Sequence, residues 1–183
     1  MACLVSPIPC DDPVRYRRYL LALGVLLAGV ACGPGGESEG SVDRSAVEHL
    51  VHQLAVAWET GDTTLLKGVL HESARLAYPR RRVDRATWVQ ELDSFSQTHT
   101  DTRIYVHQIT VDGQDFAVEW QFATTDRGSG TRTVVSDAII GRIQDGRIIL
   151  WKEYLDGRVP VLQREGQLPL EEGEEPFPWP LVR

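Results

Sequence analysis

From residue 45 onward the apolar positions recur with a helical period. Val47, Leu50, Val51, Leu54 and Trp58 fall at spacings of three and four. Ser45-Ala46-Val47-Glu48 reads as a capping box, with the serine as N-cap and the glutamate at N3. Gly61 stops this helix, and Asp62 can cap a short second one over residues 63–70. A short strand over residues 74–78 ends at Pro79, and Arg80-Arg81-Arg82 reads as a basic loop. Asp84 can cap a third helix that carries Trp88, Val89, Leu92 and Phe95 on one side. After Thr102 the period shortens to that of a strand. Strands are predicted over residues 104–110, 116–124, 131–143 and 147–154. Turn signals separate them at Val111-Asp112-Gly113, Gly128-Ser129-Gly130 and Asp145-Gly146, the last a two-residue hairpin signal. Three helices followed by a meander of strands predict an α+β fold, with the helices packed on one face of an antiparallel sheet.

The two ends of the chain follow other rules. Arg15-Tyr16-Arg17-Arg18-Tyr19 precedes an apolar run from Leu20 to Ala31, shorter than the roughly 20 residues of a membrane-spanning helix. A basic stretch, an apolar stretch and then small residues form the pattern of a secretory signal. Gly29-Val30-Ala31-Cys32 resembles the end of a bacterial lipoprotein signal, in which the cysteine is lipidated and becomes the mature N-terminus. The expected organisation is a signal peptide over 1–31, a lipidated Cys32 with a hydrated tether over 32–44, a folded domain over 45–160 and a tail over 161–183. Cleavage without lipid and an uncleaved anchor are the alternatives. The implied location is the cell envelope, with the exported domain held at a membrane. The tail concentrates Glu171, Glu172, Glu174 and Glu175 among prolines, and it also carries Phe177 and Trp179, which could dock on the domain or on a partner.

Composition narrows the function classes. The chain has 183 residues, 42% of them hydrophobic, and a net charge of -7. It is long enough for a core and too apolar for a disordered chain. A pI near 5.2 argues against a nucleic-acid partner. Three cysteines cannot make a disulfide scaffold. His49 and His52 lie three apart on the first helix, but no third ligand accompanies them, so no metal or other cofactor is expected. No glycine-rich phosphate loop occurs.

The order of elements and the ending Asp145-Gly146-Arg147-Ile148…Trp151-Lys152-Glu153-Tyr154-Leu155-Asp156 resemble the SnoaL-like branch of the nuclear transport factor 2-like superfamily. Trp58-Glu59-Thr60-Gly61-Asp62 and Val118-Glu119-Trp120 resemble its opening helix and middle strand. The resemblance covers about residues 45–158. It implies a cone-shaped α+β fold in which three N-terminal helices and a curved antiparallel sheet enclose a pocket. That fold serves polyketide cyclases, ketosteroid isomerases, limonene epoxide hydrolases and non-catalytic modules, so it does not by itself fix function.

Measured against those relatives, the chemistry is incomplete. In limonene epoxide hydrolase a carboxylate after the Trp-Arg pair of the last strand works with an Arg-x-Asp motif. Glu153 matches the carboxylate, but Glu119-Trp120-Gln121 lacks the rest. Where isomerase-like members carry an aspartate before a proline, this chain has Tyr78-Pro79. Tyrosine is a poor base at neutral pH but can donate a hydrogen bond to a developing oxyanion.

What remains is an acidic set, Glu119, Asp137 and Glu153, on three consecutive strands. Burial in a cone would raise their carboxyl pKa values and separate an acid from a base. On the solvated face they would instead pair with cations such as Arg132 or Lys152. Tyr105 and His107 share strand parity and are expected to face the pocket with Trp58, Trp88 and Trp151, although core packing accounts for each tryptophan equally well. The expected partner is a small apolar or aromatic molecule. Arg80-Arg81-Arg82 is a solvated loop or, gathered at the pocket mouth, a lure for an anionic ligand. The leading expectation is ligand binding. The alternatives are an acid–base enzyme of isomerase or cyclase type using Glu153 with Glu119 or Asp137 and Tyr78, and a non-catalytic module that forms a homodimer or docks a partner.

Overall fold

Asp43, rather than Ser45, starts the first helix. In the computed structural model, which describes residues 42–170, α1 spans Arg44–Thr60, and the Asp43 carboxylate accepts from the Ser45 amide. A carboxylate at a helix N-terminus also meets the positive end of the helix dipole, which a serine cap does not exploit. Glu48 therefore closes no capping box and pairs with Arg44 at 2.7 Å. Val47, Val51 and Leu54 are buried, as their spacing requires. Gly61 ends α1 at φ 70°, and a β-carbon there would sit 2.8 Å from Ser96 Cβ. Asp62 accepts from the Thr64 and Leu65 amides and starts α2 (Thr63–Val69).

The chain then enters β1 (Leu70–Tyr78), turns at Pro79 and Arg80, and returns as β2 (Arg81–Asp84). The basic run thus has Arg80 in the turn and Arg81 and Arg82 in the strand. Only Val83 of β2 is buried, so no apolar alternation announces it. Asp84 caps α3 (Arg85–Thr98) by accepting from the Thr87 amide. Four long strands follow: β3 (His99–Asp112), β4 (Asp115–Asp126), β5 (Arg132–Gln144) and β6 (Arg147–Leu155). The β5–β6 turn places Asp145 and Gly146 at φ 49° and 70°, as a two-residue hairpin of this composition should.

The six strands form one sheet in the order β2-β1-β6-β5-β4-β3. It is antiparallel except for β1 and β6, which run parallel. The expected helices on a curved antiparallel sheet are thus present, and the one parallel pair arises because β1 precedes the meander and adds to its last strand. The helices cover the concave face. Trp88 and Leu92 of α3 and Leu54 of α1 are fully buried there. In the row Phe116–Gly141–Trp151 the central residue has no side chain, and the Phe116 ring lies over it; a β-carbon on Gly141 would fall 2.1 Å from that ring.

β6 ends opposite Asp137, and β5 runs on beyond it to Arg132. A last helix, α4 (Val159–Arg164), covers that free stretch. Buried Gln163 accepts from the Val134 amide at 2.9 Å and donates to the Val134 carbonyl at 3.0 Å, in place of a strand neighbour. The sequence pattern does not reveal α4, so the folded chain continues past residue 160. The expected signal, Cys32 and the glutamate-rich part of the tail lie outside the described residues. Among the described residues no helix is long and apolar enough to cross a membrane.

Candidate functional site: a carboxyl pair in an aromatic cavity

Alternation along the strands decides which side chains meet. Trp120 and Phe122 of β4, Val135 and Asp137 of β5, and Glu153 and Leu155 of β6 face the helices across a cavity of about 810 Å³. Trp120 stands opposite Asp137, which in turn stands opposite Leu155. Glu153 is opposite Ile139, which places it diagonally next to Asp137 on the same face. Trp58 of α1 and Phe95 of α3 complete an aromatic wall with Phe122; the three rings pack edge to face with centroids 5.3–5.8 Å apart. Leu76 and Tyr78 of β1 and Glu91 of α3 close the remaining side.

Both carboxyl groups are held above their ordinary proton affinity. Burial pushes Asp137 up to about 6, against the opposing pull of the Tyr154 amide, which donates to its Oδ1 at 2.9 Å. Trp120 Nε1 is buried without a hydrogen bond of full geometry, yet it lies close enough to Asp137 to favour the carboxylate. Burial, and then the charge of Asp137, push Glu153 up to about 8; the Trp151 indole donates to Glu153 Oε1 at 2.9 Å and lowers it in part. Tyr78 is also raised, first by burial and then by Glu91, so its hydroxyl stays protonated. Glu91 itself is bridged to Arg81 at 2.5 Å.

The structure brings together four of the residues singled out in the sequence: Asp137, Glu153, Tyr78 and Trp58. The others need correction. Glu119 lies on the outer face, opposite Ala138, because its parity on β4 is opposite to that of Trp120. Trp88 and Trp151 are fully buried core residues packed on one another, with ring centroids 6.4 Å apart; Trp151 lies behind the site, packed on the Trp120 ring at 5.2 Å and bonded to Glu153. Tyr105 pairs with Gln121 and so shares Glu119's outer face. His107 is the extra residue of a bulge between Val106 and Gln108, which breaks the parity it was expected to share with Tyr105, and neither residue lines the cavity.

Glu91, Phe95, Trp120 and Phe122 were not read as pocket residues. The signal for two of them was present, since Trp120 and Phe122 alternate on one strand, but only the packed helices show which parity is concave. Among the described residues no group of three or more His, Cys, Asp or Glu is placed to hold a metal ion.

A family model described as the SnoaL-like domain matches residues 51–151, more than half of the chain. The chain belongs to the SnoaL-like family. No curated protein sequence matches it. Several solved structures share the fold of this SnoaL-like chain. TsrD from Streptomyces laurentii is 21% identical at a TM-score of 0.62, covering 70% of this chain and 100% of its own. IdmH from Streptomyces antibioticus, a candidate polyketide cyclase, is 18% identical at 0.57, covering 64% and 97%. A protein from Catenulispora acidiphila with a ketosteroid isomerase-like fold, in complex with trimethylamine, is 15% identical at 0.59, covering 66% and 93%. At these identities the likeness establishes the α+β NTF2-like fold of helices on a curved sheet, and no more.

Proposed function

We propose that this SnoaL-like domain binds a small, largely apolar carbonyl compound in its cavity and moves a proton on it with Asp137 and Glu153. The observation that carries this reading is the pair itself. Two carboxyl groups on adjacent strands share one face of an aromatic-walled cavity and differ in proton affinity. Near neutral pH the pair holds one proton, chiefly on Glu153.

Ionised Asp137 can take a proton from the carbon next to the carbonyl. The electrons of that C–H bond form the new carbon–carbon double bond as the carbonyl π pair moves onto the oxygen, which Glu153 protonates to give the enol. Return of a proton to a different carbon is isomerisation; attack by the enol carbon on a second carbonyl is ring closure. Protonated Tyr78 and the Trp120 indole are further donors for a developing oxyanion. The isomerase-like and cyclase-like structural relatives support this class of chemistry without establishing it.

The test uses 2-tetralone, an apolar ketone with exchangeable α-hydrogens. Quenching of tryptophan fluorescence reports binding, and deuterium uptake from D2O, followed by NMR, reports proton transfer. The expected uptake is bell-shaped in pH with limbs near 6 and 8, and Asp137→Asn abolishes it while the ketone still binds. Binding with no uptake above the Asn variant would reduce the function to ligand binding alone.

A second reading, a homodimer or partner-docking module, draws on Ile140 and Tyr154, which are 50% and 59% exposed on the outer sheet face. A concentration-dependent dimer broken by Ile140→Glu would favour it. Export and lipid anchoring through Cys32 complete the proposal and rest on the sequence alone. Cys32→Ser should release the protein from the membrane fraction.

A further inference from the structure

The parallel pairing of β1 with β6 stops where Ala77 meets Lys152. Past that point β6 continues beside β5 alone, while β1 turns away at Pro79 and Arg80 into β2. A notch of about 520 Å³ opens where the strands part, and residues from both faces of the sheet reach it. Tyr78, Arg81 and Glu153 line this notch and the main cavity alike, so the two spaces adjoin.

The notch is cationic. Arg82 and Lys152 stand on either side of Ala77 in one row across β2, β1 and β6, with only a methyl group between them. Arg80 occupies the turn at φ 70°, a left-handed conformation that arginine seldom adopts and that often marks a functional position. All three are exposed, and among the described residues none of them forms an ion pair. The acids nearby do not cancel them. Glu91 is bridged to Arg81, and Asp115, which feels Lys152, is held by Arg142 through two bonds of 2.6 and 2.8 Å. Glu153 is kept largely neutral by its burial. Three free cations at the rim of an apolar cavity create a local field that concentrates anions there.

We infer that the notch is an anion subsite, which takes a carboxylate or sulfonate substituent of a ligand whose apolar body fills the adjoining cavity. Arg82 and Lys152 hold the anion from two sides, and Arg80 closes over it from the turn. The inference rests on the cavity being a ligand site, as proposed above, and it narrows the ligand class from apolar molecules to amphipathic anions.

Two dyes with the same apolar body separate the two claims. N-phenyl-1-naphthylamine is neutral, and 1-anilinonaphthalene-8-sulfonate adds a sulfonate. Both should compete for one site on the wild-type protein, followed by dye fluorescence. The affinity of the sulfonate dye should fall as sodium chloride rises, and that of the neutral dye should not. The double variant Arg82→Gln with Lys152→Gln should weaken the sulfonate dye roughly tenfold or more, the loss expected for charge-assisted contacts, and leave the neutral dye within about twofold.

A variant that binds both dyes like the wild type, or loses both equally, overturns the subsite. Should neither dye bind the wild type, the ligand reading of the cavity falls and the subsite falls with it. Should the neutral dye bind while the sulfonate dye shows no dependence on salt or on the two cations, the subsite alone falls. Both positions are exposed on strands, and thermal unfolding checks that the variant is folded; Lys152→Gln alone provides the same comparison if the double variant is not.

Discussion

Replacing Glu153 by glutamine should make the protein more stable at alkaline pH and change it little at acid pH. The glutamate carboxyl sits in the cavity wall with its proton affinity raised from 4.5 to about 8, chiefly by burial. The folded state therefore keeps a proton that the unfolded chain releases. For a group raised in this way, the stabilising contribution is complete below pH 4.5 and is lost as pH rises through about 8. Each unit of the interval corresponds to 1.36 kcal/mol, so the full interval sets an upper bound of about 5 kcal/mol. Water entry and side-chain relaxation lower this, and about 2–3 kcal/mol is the expected size. Glutamine keeps the shape of the neutral acid, and its carbonyl can still accept from the Trp151 indole, so the substitution isolates the charge. Urea unfolding of both proteins at pH 5, 7 and 9 measures the effect. The difference in unfolding free energy, variant minus wild type, should grow from near zero at pH 5 to about 2–3 kcal/mol at pH 9. A difference that stays flat, or that shrinks with pH, would refute the claim that Glu153 is buried as a neutral acid, and the acid–base reading of the site with it.

Two further substitutions test the frame that holds the pair. Gly141→Ala should cost about 2–3 kcal/mol, because the new methyl group overlaps the Phe116 ring and displaces it from Trp151; thermal unfolding reads this, and an unchanged melting temperature would mean that the ring is free to move. Gln163→Ala should cost about 1–3 kcal/mol, since it strips both backbone bonds from buried Val134; protection of the Val134 amide against hydrogen exchange should fall in step, and a retained protection factor would show that another group takes over.

The sequence by itself determined the first three helices, β1 and the four long strands, and their order, but neither β2 nor α4. Helix and strand periods differ, and the aspartates at 62 and 84 and the Asp145-Gly146 turn act locally, so each could be read from its neighbours alone. Family membership followed from that order and from the last hairpin. The site was only half legible. Asp137, Glu153 and Tyr78 could be singled out as candidates, but Glu119, Tyr105 and His107 stood equally well beside them. Strand parity says which residues share a face; it does not say which face is concave. That was decided by α1 and α3 lying over Trp120 and Phe122, and by one bulge at His107 that shifts the register of β3.

Three things arose only from long-range packing. The parallel contact between β1 and β6 joins segments some 75 residues apart, and no local signal encodes it. The proton affinities of Asp137 and Glu153 depend on burial, which is a property of the assembled cavity. The basic run was placed in the same way: in the sequence it is a solvated loop or a lure at the pocket mouth, and only the fold sets it beside Lys152 in the notch next to the cavity, because β1 turns away from β6 at Pro79.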